Sequence, residues 1–484
     1  MRAKKCIFAG KLNPMYHNSP GQRLIPPTPL LLPALCIVAG MVAGQQLPPS
    51  WPVPLLFGGA VVLTLLLGRR PMAQSVAIGV CCLLLGAART PTEQRWPDGV
   101  PVQAVVASVP ADKPRTLMVD LLLCGDGEHR RCYIWKDERS RQLQLGHAIV
   151  VTLHDQQFVG RNDWQPAGGG QQQVSAFESL RLKALGWRAM LMERLKGSIP
   201  DEEQTGLLMA MTLGDKSLLS AEVRESFNVA GVAHVLALSG LHLSIVYMLL
   251  TMLVPPGRRT WMVAVPVVIC IWAFTLLTGL SMSLVRAATM LTVYTLFSLG
   301  ERRGASLNVL CFTAIVMLIV SPASLTDVGF QLSFMSLLGI LLFTPLFSRL
   351  VPDKWKQRHQ VLTWIGGMMA VTLSAQLGTA PIVAYYFGRF PTWFLLTNLV
   401  AVPATTLILA ATLLTLIVPA VGSIAAWLSA AFTSVLAWFA NLPMASIGHL
   451  HPSVLQVVLC YVAVALFWLL MVRVARSRSN AGYI

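Results

Sequence analysis

Residues 230–247 read AGVAHVLALSGLHLSIVY, and this stretch decides the class of fold. It is apolar and close to the length of about 20 residues that a membrane helix requires, yet it contains His234, His242 and the pair Ser239–Gly240. Polar side chains and an interrupted helix are tolerated at membrane depth only where they face protein or water. The stretch therefore predicts a membrane protein whose helices border an internal polar path.

The whole chain has the composition of a polytopic membrane protein. Of its 484 residues, 55% are hydrophobic and 12% are charged, and the mean hydropathy is +0.63. This is too apolar for a set of soluble domains. About twelve apolar stretches are candidate membrane spans: 30–44, 51–68, 72–88, 230–254, 261–280, 284–299, 305–321, 328–347, 362–387, 391–418, 421–441 and 455–472. The first three belong to an N-terminal membrane segment, 1–88.

One long polar interval, residues 89–204, separates the first three stretches from the others. It holds 15 of the 21 acidic residues of the chain. Its first part, 89–170, alternates β-branched segments with Pro, Gly and Asp turns, which predicts a small β-barrel or sandwich. Its second part, 171–204, has the apolar period of an amphipathic helix. That helix is expected either to lie on the outer membrane surface or to pack on the β domain.

The net charge of +16 is distributed as the positive-inside rule requires. If the N-terminus is cytosolic, the cytosolic loops and ends carry 18 Lys and Arg residues against two acidic residues, whereas residues 89–204 carry 15 of each sign. This predicts two cytosolic termini, an outer domain over 89–204 and a cytosolic tail over 476–484. This distribution weakens the alternative interpretation, in which the net positive charge serves to bind nucleic acid. The basic leader followed by prolines favours a membrane anchor over a cleavable signal.

Two cysteines, Cys124 and Cys132, flank a Gly-Asp-Gly turn in the predicted outer domain. An oxidising compartment permits a cross-strand disulfide between them. Two thiols without a bridge fit the spacing about as well, because spacing does not establish geometry.

Ionisable and amide side chains within the apolar stretches are candidate site residues. His234 and His242 lie about 80° apart on an ideal helix, so they are expected either to face a polar path or to hydrogen-bond to neighbouring helices. Arg286 either extends to the membrane interface or faces a cavity as a phosphate-binding cation. The remaining candidates are one carboxylate and three amides: Asp327, Gln331, Gln376 and Asn398.

The sequence contains no recognisable motif for catalysis or metal binding. It has no Walker loop, no H-E-x-x-H and no G-x-S-x-G, and no set of residues with the spacing of metal ligands. We therefore expect no catalytic residue, no metal and no cofactor.

Four motifs in order resemble the competence domain of the ComEC family, bacterial inner-membrane channels for DNA uptake. The resemblance covers about residues 205–472, and it predicts a transmembrane channel domain over 205–475. The β-rich segment is similar to the OB-type domain of that family, although the Phe-Asp-Tyr signature expected after it is present only as AFESL. The motifs are AGVAHVLALSGLHLSIV, TGLSMSLVRAATM, SPASLTDVGFQLSFMSLLG and QLGTAPIVAYYFGRFPTWFLLTNLVAVP.

The resemblance implies a channel that imports one strand of transforming DNA through the membrane block. The implied partners are single-stranded DNA, a periplasmic or surface DNA receptor, a cytosolic DNA motor, membrane lipid and, as an option, further copies of the chain. Many relatives end in a metallo-β-lactamase-like nuclease domain that this sequence does not show, so no nuclease activity is expected. The implied path residues are His234, Ser239, Gly240, His242, Arg286, Asp327, Gln331, Gln376 and Asn398.

Two other functions fit the same composition. One is the transport of another polar or anionic solute, and the other is a membrane scaffold whose outer domain binds a partner. Uptake of labelled DNA separates the DNA channel from both.

Overall fold

A computed structural model describes twelve parts of the chain. It shows a mostly helical protein with one β-sheet inserted between the third and fourth helices. The predicted leader, the Gly-Asp-Gly turn and most of the basic loop residues lie outside these parts. The described residues are 28–46, 53–66, 71–89, 99–108, 110–112, 115–124, 129–152, 158–167, 175–252, 261–299, 306–350 and 358–481.

Each of the twelve apolar stretches contains a helix, and three further helices follow the sheet. The helices are α1 (Leu31–Gly44), α2 (Val53–Leu66), α3 (Pro71–Ala88), α4 (Ala176–Ser198), α5 (Glu202–Thr212), α6 (Ala221–Val229), α7 (Gly240–Met252), α8 (Trp261–Leu277), α9 (Met282–Leu299), α10 (Ser306–Val320), α11 (Val328–Leu350), α12 (Gln360–Phe387), α13 (Phe394–Thr415), α14 (Gly422–Ala440) and α15 (Val454–Ala481).

Five of the described helices, α11 to α15, are long and apolar enough to cross a membrane. Six others, including α7 to α10, are apolar but shorter. Many large apolar side chains of the long and the short helices are exposed, among them Leu459 and Leu466 of α15. Lipid would surround these side chains in a membrane. The structure thus supports a polytopic membrane protein, whereas the count of about twelve spans stays a prediction.

The predicted β-rich segments form one sheet of seven strands. Its order is β6-β4-β3-β1-β5-β7, with β2 paired to β3, and its pairings are antiparallel except for the parallel pair β4–β6. This order is open among the described strands, so closure into an OB-like barrel stays a prediction. The strands are β1 (Pro101–Val106), β2 (Ala111–Asp112), β3 (Thr116–Leu123), β4 (His129–Trp135), β5 (Ala148–Thr152), β6 (Phe158–Val159) and β7 (Trp164–Pro166).

The structure contains no disulfide between Cys124 and Cys132. The register of β3 and β4 sets Cys132 opposite Val119, five residues along the chain from Cys124. Because successive side chains of a strand point to opposite faces, the two sulfur atoms belong to different sides of the sheet. Cys132 lies in the core of the sheet, whereas Cys124 packs with the cluster beside α4. The disulfide therefore stays a prediction, one that the register of β3 and β4 does not favour.

Helix α4 connects the sheet to the helices that follow it, α5 to α15, which we call the helical block. Its Leu182 packs on the sheet, and its Leu185 contacts Gly279 at the end of α8. Further along, Arg194 donates a hydrogen bond to the carbonyl of Ile417, at 3.4 Å. The helix thus packs both on the sheet and on the other helices. Packing on the β domain was one of the two positions that the sequence left open for it. Its exposed large side chains remain available to lipid: Phe177, Leu180, Trp187 and Met190.

Helix α5 lies at the centre of the largest apolar core. Every residue from Gln204 to Thr212 is buried, and the surrounding side chains come from α4, α6, α13 and α14. Its one long polar side chain in the core is satisfied, because Ser429 of α14 donates to Oε1 of Gln204 at 2.5 Å. The domain boundary that the sequence predicted between 204 and 205 thus falls inside a helix.

Helices α11 and α12 are held together at backbone contact distance by small residues. A Cβ on Gly378 would overlap the carbonyl oxygen of Met335, and a Cβ on Gly339 would overlap that of Ser374. The hydroxyl of Thr344 donates to that of Ser374 at 3.0 Å. Small residues of this kind allow helices to associate in a bilayer, where no hydrophobic force acts between them.

We expect Gly378→Leu to separate α11 from α12 and to destabilise the protein by about 1–3 kcal/mol or more, because the added side chain has no room. Thermal melting of the detergent-purified protein measures this loss. Gly366→Leu is the matched control on α12, since no atom lies within 4 Å of a Cβ at that position. Equal melting temperatures for the two variants would contradict the close packing.

We also expect Cys132 to resist alkylation in the folded protein. Its side chain is fully buried, and burial raises the pKa of the thiol to about 12, so that at pH 8 about one thiol in 10⁴ is ionised. Mass spectrometry after iodoacetamide treatment gives the modified fraction. Rapid modification of Cys132 without denaturant would contradict this structure, and full modification in guanidinium is the positive control.

Candidate functional site

The stretch that begins at residue 230 is not one helix. After α6 ends at Val229, the chain forms a turn and a 3₁₀ segment, Ala233–Val235, and α7 begins only at Gly240. The break is set at Gly231, whose φ of 78° favours glycine. A Cβ there would also lie 2.6 Å from Cβ of Pro391. The span predicted over 230–254 is therefore shortened to α7.

The two histidines consequently lie on different elements, which corrects the shared helical face that their spacing predicted. His234 is exposed in the 3₁₀ segment, and His242 is fully buried in the first turn of α7.

His242 caps the helix in which it lies. Its Nδ1 accepts a hydrogen bond from the backbone N–H of Ser239 at 3.3 Å, and the Ser239 hydroxyl lies 3.2 Å from the same nitrogen. This is one half of a capping box, the half in which the third helical residue reaches back to the residue before the helix. A ring that accepts at Nδ1 carries its proton on Nε2 when neutral. That Nε2 is buried and has no partner within the described part of the chain.

The start of α7 packs against the turn of α9 that carries Arg286. A Cβ on Gly240 would lie 3.5 Å from Cβ of Ala287, the residue that follows Arg286 in the sequence. Glycine at 240 thus brings the capped end of α7 next to the one arginine within α9.

Arg286 forms an ion pair inside the helical block. Only 3% of the residue is exposed, and its Nη1 lies 3.3 Å from Oδ2 of Asp327. The same oxygen accepts a hydrogen bond from the backbone N–H of Phe330 at 2.7 Å, so Asp327 also caps α11. The buried guanidinium is thus held by a half-exposed carboxylate at the start of α11. Its two predicted roles, at the membrane interface or as a phosphate-binding cation, both stay predictions.

Two of the three amide candidates bond to nearby backbone. Gln331 donates to the carbonyl of Leu325 at 3.0 Å, and Asn398 donates to that of Phe394 at 2.8 Å. Both residues lie in the first turns of α11 and α13, and both are half-buried.

Gln376 lies apart from this group, in the middle of α12. The contacts of Met335 with Gly378 and of Gly339 with Ser374 set Gln376 at the level of residue 337 on α11. That level is ten residues, or about 15 Å, from Asp327 along the helix. The structure thus brings Ser239, Gly240, His242, Arg286 and Asp327 together near helix ends and leaves Gln376 deeper in the bundle.

Two contacts between residues far apart in the chain were not predicted from the sequence. Ser429 bonds to Gln204 from 225 residues away, and Arg389 pairs with Glu225 from 164 residues away. The hydrogen bond from Arg389 lowers the pKa of the Glu225 carboxyl. Arg389 precedes β8 (Phe390–Pro391), which pairs with β9 (Ser446–Ile447). No local pattern marks such distant partners.

The described residues include no group of three or more His, Cys, Asp or Glu side chains placed to hold a metal ion. The chemistry of the site is instead that of one cation, one anion and the ends of two helices. Such a set can bind and orient a charged solute.

Comparison with known proteins links this site to one family. The family model described as "Competence protein" matches residues 211–474, a range that contains every predicted path residue. Competence protein ComA of Neisseria gonorrhoeae is 24% identical over 362 residues, 66% of this chain and 50% of that protein. ComE operon protein 3 of Bacillus subtilis (strain 168) is 30% identical over 261 residues, 53% of this chain and 32% of that protein.

A third relative, an uncharacterized protein of Aquifex aeolicus (strain VF5), is 33% identical over 211 residues, 43% of this chain and 47% of that protein. The chain thus covers half or less of the length of each of these relatives. No solved structure matches it.

We expect Asp327→Asn to destabilise the protein less than Asp327→Ala. Asparagine keeps an oxygen for the Phe330 N–H and removes only the charge, whereas alanine also removes the cap, which is worth about 1 kcal/mol. Because half of the Asp327 side chain is exposed, the ion pair itself should contribute less than the roughly 3–5 kcal/mol lost when a fully buried pair is broken.

A double-mutant cycle of Asp327→Asn with Arg286→Gln measures the coupling between the two side chains from melting curves. The exposed pair formed by Glu225 and Arg389 provides the control cycle, for which we expect a smaller coupling. Strictly additive effects at 286 and 327 would show that the two groups do not interact.

Proposed function

This chain belongs to the competence protein family, and we propose that it acts in DNA uptake during natural competence, as an inner-membrane channel for one strand of transforming DNA. The observation that carries the proposal is the family match over 211–474, which spans the helical block and the site in one continuous range. Two relatives with "competence" or "ComE operon" in their names support it.

The charges of the site fit a polyanionic solute. A strand with a charge on every phosphate requires a hydrated and preferably cationic path through the bilayer. Arg286 lies beside the N-terminal end of α11, and the capped N-terminal end of α7 lies against α9. Both helix ends carry the positive pole of a helix dipole. We place the entrance of the path among these three helices.

The orientation that we propose follows from the basic residues. Arg349 lies in the last turn of α11. It lines a cavity with residues of α15 on either side of Arg473. Since α11 begins at the site, these cations lie at the opposite end of the block. By the positive-inside rule that end is cytosolic. The proposal therefore sets the site and the OB-like domain, 89–170, on the outer side of the inner membrane, with about twelve spans and both termini in the cytosol.

The proposed partners follow from this orientation. A periplasmic or surface receptor would deliver DNA to the outer side, and a cytosolic motor would pull the strand inward, because the sequence shows no nucleotide-binding motif. Membrane lipid surrounds the exposed apolar helix faces, and further copies of the chain are an additional partner that the proposal allows. We assign no catalytic residue to the path.

We expect a strain without this chain to bind labelled DNA at its surface but to convert none of it to a DNase-resistant form. Restoring the gene should restore both DNA protection and transformation. Surface-bound and protected label, measured separately with and without DNase, give the result. Normal protection of DNA in the deleted strain would overturn the proposal.

The same experiment separates the alternatives. A transporter of another solute leaves DNA protection intact when it is deleted. A scaffold for the DNA receptor changes the amount of DNA bound at the surface, which a translocation defect does not.

A further inference from the structure

The guanidinium of Arg286 uses only part of its capacity to bind oxyanions. An arginine presents five N–H donors in a planar fork, and two of its edges match a pair of oxygen atoms. Nη1 donates to Asp327. Nε is buried and has no partner among the described residues, although the residue is only 3% exposed. Asp327 thus leaves the buried Nε without a partner among the described residues, on the edge that Nε forms with Nη2.

This edge lies against the first turn of α11. A Cβ on Gly329 would lie 3.3 Å from Nη2 of Arg286 and 3.2 Å from Oδ2 of Asp327. Any other side chain at 329 would therefore stand beside the guanidinium, whereas glycine keeps this side of Nη2 clear of a side chain from position 329. Residue 329 is also in the first turn of a 23-residue helix, where backbone N–H groups lack partners within the helix and attract anions.

A second polar group without a partner lies in the same turn of the chain. Ser324, three residues before Asp327, is 4% exposed, and its hydroxyl has no hydrogen-bond partner in the described structure. The backbone N–H of Asp327 bonds to the Ser324 carbonyl at 3.2 Å, so the position of this residue relative to the capped helix is fixed. Buried donors are rarely left unsatisfied unless a ligand or water meets them.

We propose that the Nε–Nη2 edge of Arg286 and the first turn of α11 at Gly329 bind the two non-bridging oxygens of a DNA phosphodiester. This rests on the proposed function, because it names the part of the strand that the path contacts. The ligand is a monoanion with two equivalent oxygen atoms, which the side edge of a guanidinium binds through two parallel hydrogen bonds. Lysine, a point charge, cannot reproduce that fork.

Asp327 then has a second function besides the cap. Its carboxylate neutralises Arg286 before the strand arrives and repels each phosphate after it has bound. A translocation path needs sites that bind well enough to admit the solute and weakly enough to release it. The ion pair keeps the affinity of the site low, so that successive phosphates exchange on one guanidinium.

The test uses the full chain in nanodiscs and a fluorescent oligothymidylate at low salt. Arg286→Lys keeps the charge and a donor for Asp327 but loses the fork, and we expect binding about tenfold weaker, the loss of one charge-assisted hydrogen bond. Asp327→Asn keeps the cap and removes the repulsion, and we expect tighter binding. Gly329→Ala narrows the approach and should weaken binding, whereas Gly366→Ala, in open space on α12, should not.

Arg286→Lys and Asp327→Asn are expected to change oligothymidylate affinity in opposite directions, and this difference distinguishes binding from a structural role. If the ion pair only stabilises the fold, Arg286→Lys and Asp327→Asn will both lower the melting temperature and leave oligothymidylate affinity at the wild-type value, which overturns the proposal. A methylphosphonate oligomer of the same sequence tests the phosphate directly, because it lacks the anionic oxygens. Binding of that oligomer with equal affinity and equal sensitivity to Arg286→Lys would also overturn it.

Phosphatidylglycerol offers the same phosphodiester chemistry, so nanodiscs with and without this lipid form the last arm. If Arg286→Lys weakens lipid binding and leaves oligothymidylate binding unchanged, the site takes headgroups and the assignment to DNA is wrong. The uptake experiment with the deleted strain is independent of these results. Lost DNA protection on deletion together with wild-type affinity in all variants would refute this site and leave the proposed function standing.

Discussion

A guanidinium group among apolar helices must have an anion beside it, and this requirement organises the end of the block that contains the site. Arginine does not lose its proton in proteins, so burying Arg286 demands a counter-ion from within the fold. Asp327 supplies this counter-ion and at the same time caps the N-terminal end of α11. The pair thus fixes α11 relative to α9, and the contact of Gly240 with Ala287 adds α7 to the same arrangement.

Much of the fold was predictable because the signals are local. Hydropathy located α12 to within two residues of its observed start at Gln360. The Ser-x-x-Glu pattern that begins α4 forms a true cap, with Ser175 accepting from the Glu178 N–H at 3.2 Å. The β-branched segments of 101–166 formed a sheet for the same reason, since each segment carries its own preference.

The errors arose where distant residues decide the structure. Hydropathy does not distinguish an apolar helix from an apolar turn. Residues 230–239 were therefore predicted as part of a span, although the chain turns at Gly231, where a Cβ would overlap Pro391. The spacing of Cys124 and Cys132 did not decide between a disulfide and two thiols, because register, not spacing, sets which strand positions meet. The partner of Arg286 lies 41 residues along the chain. Arg286 and Asp327 were both predicted as site residues, but no local pattern in the sequence indicates that their side chains meet.

The burial of α5 has a consequence for biosynthesis. The Gln204 side chain bonds to Ser429, which is 225 residues later in the chain, and part of the core around α5 comes from α13 and α14. At about 5–20 residues per second, the ribosome needs on the order of 10–45 s to reach that partner. During this interval α5 has left the ribosome without its final surroundings. Assembly must therefore hold an apolar helix in an unfinished state until α13 and α14 pack around it.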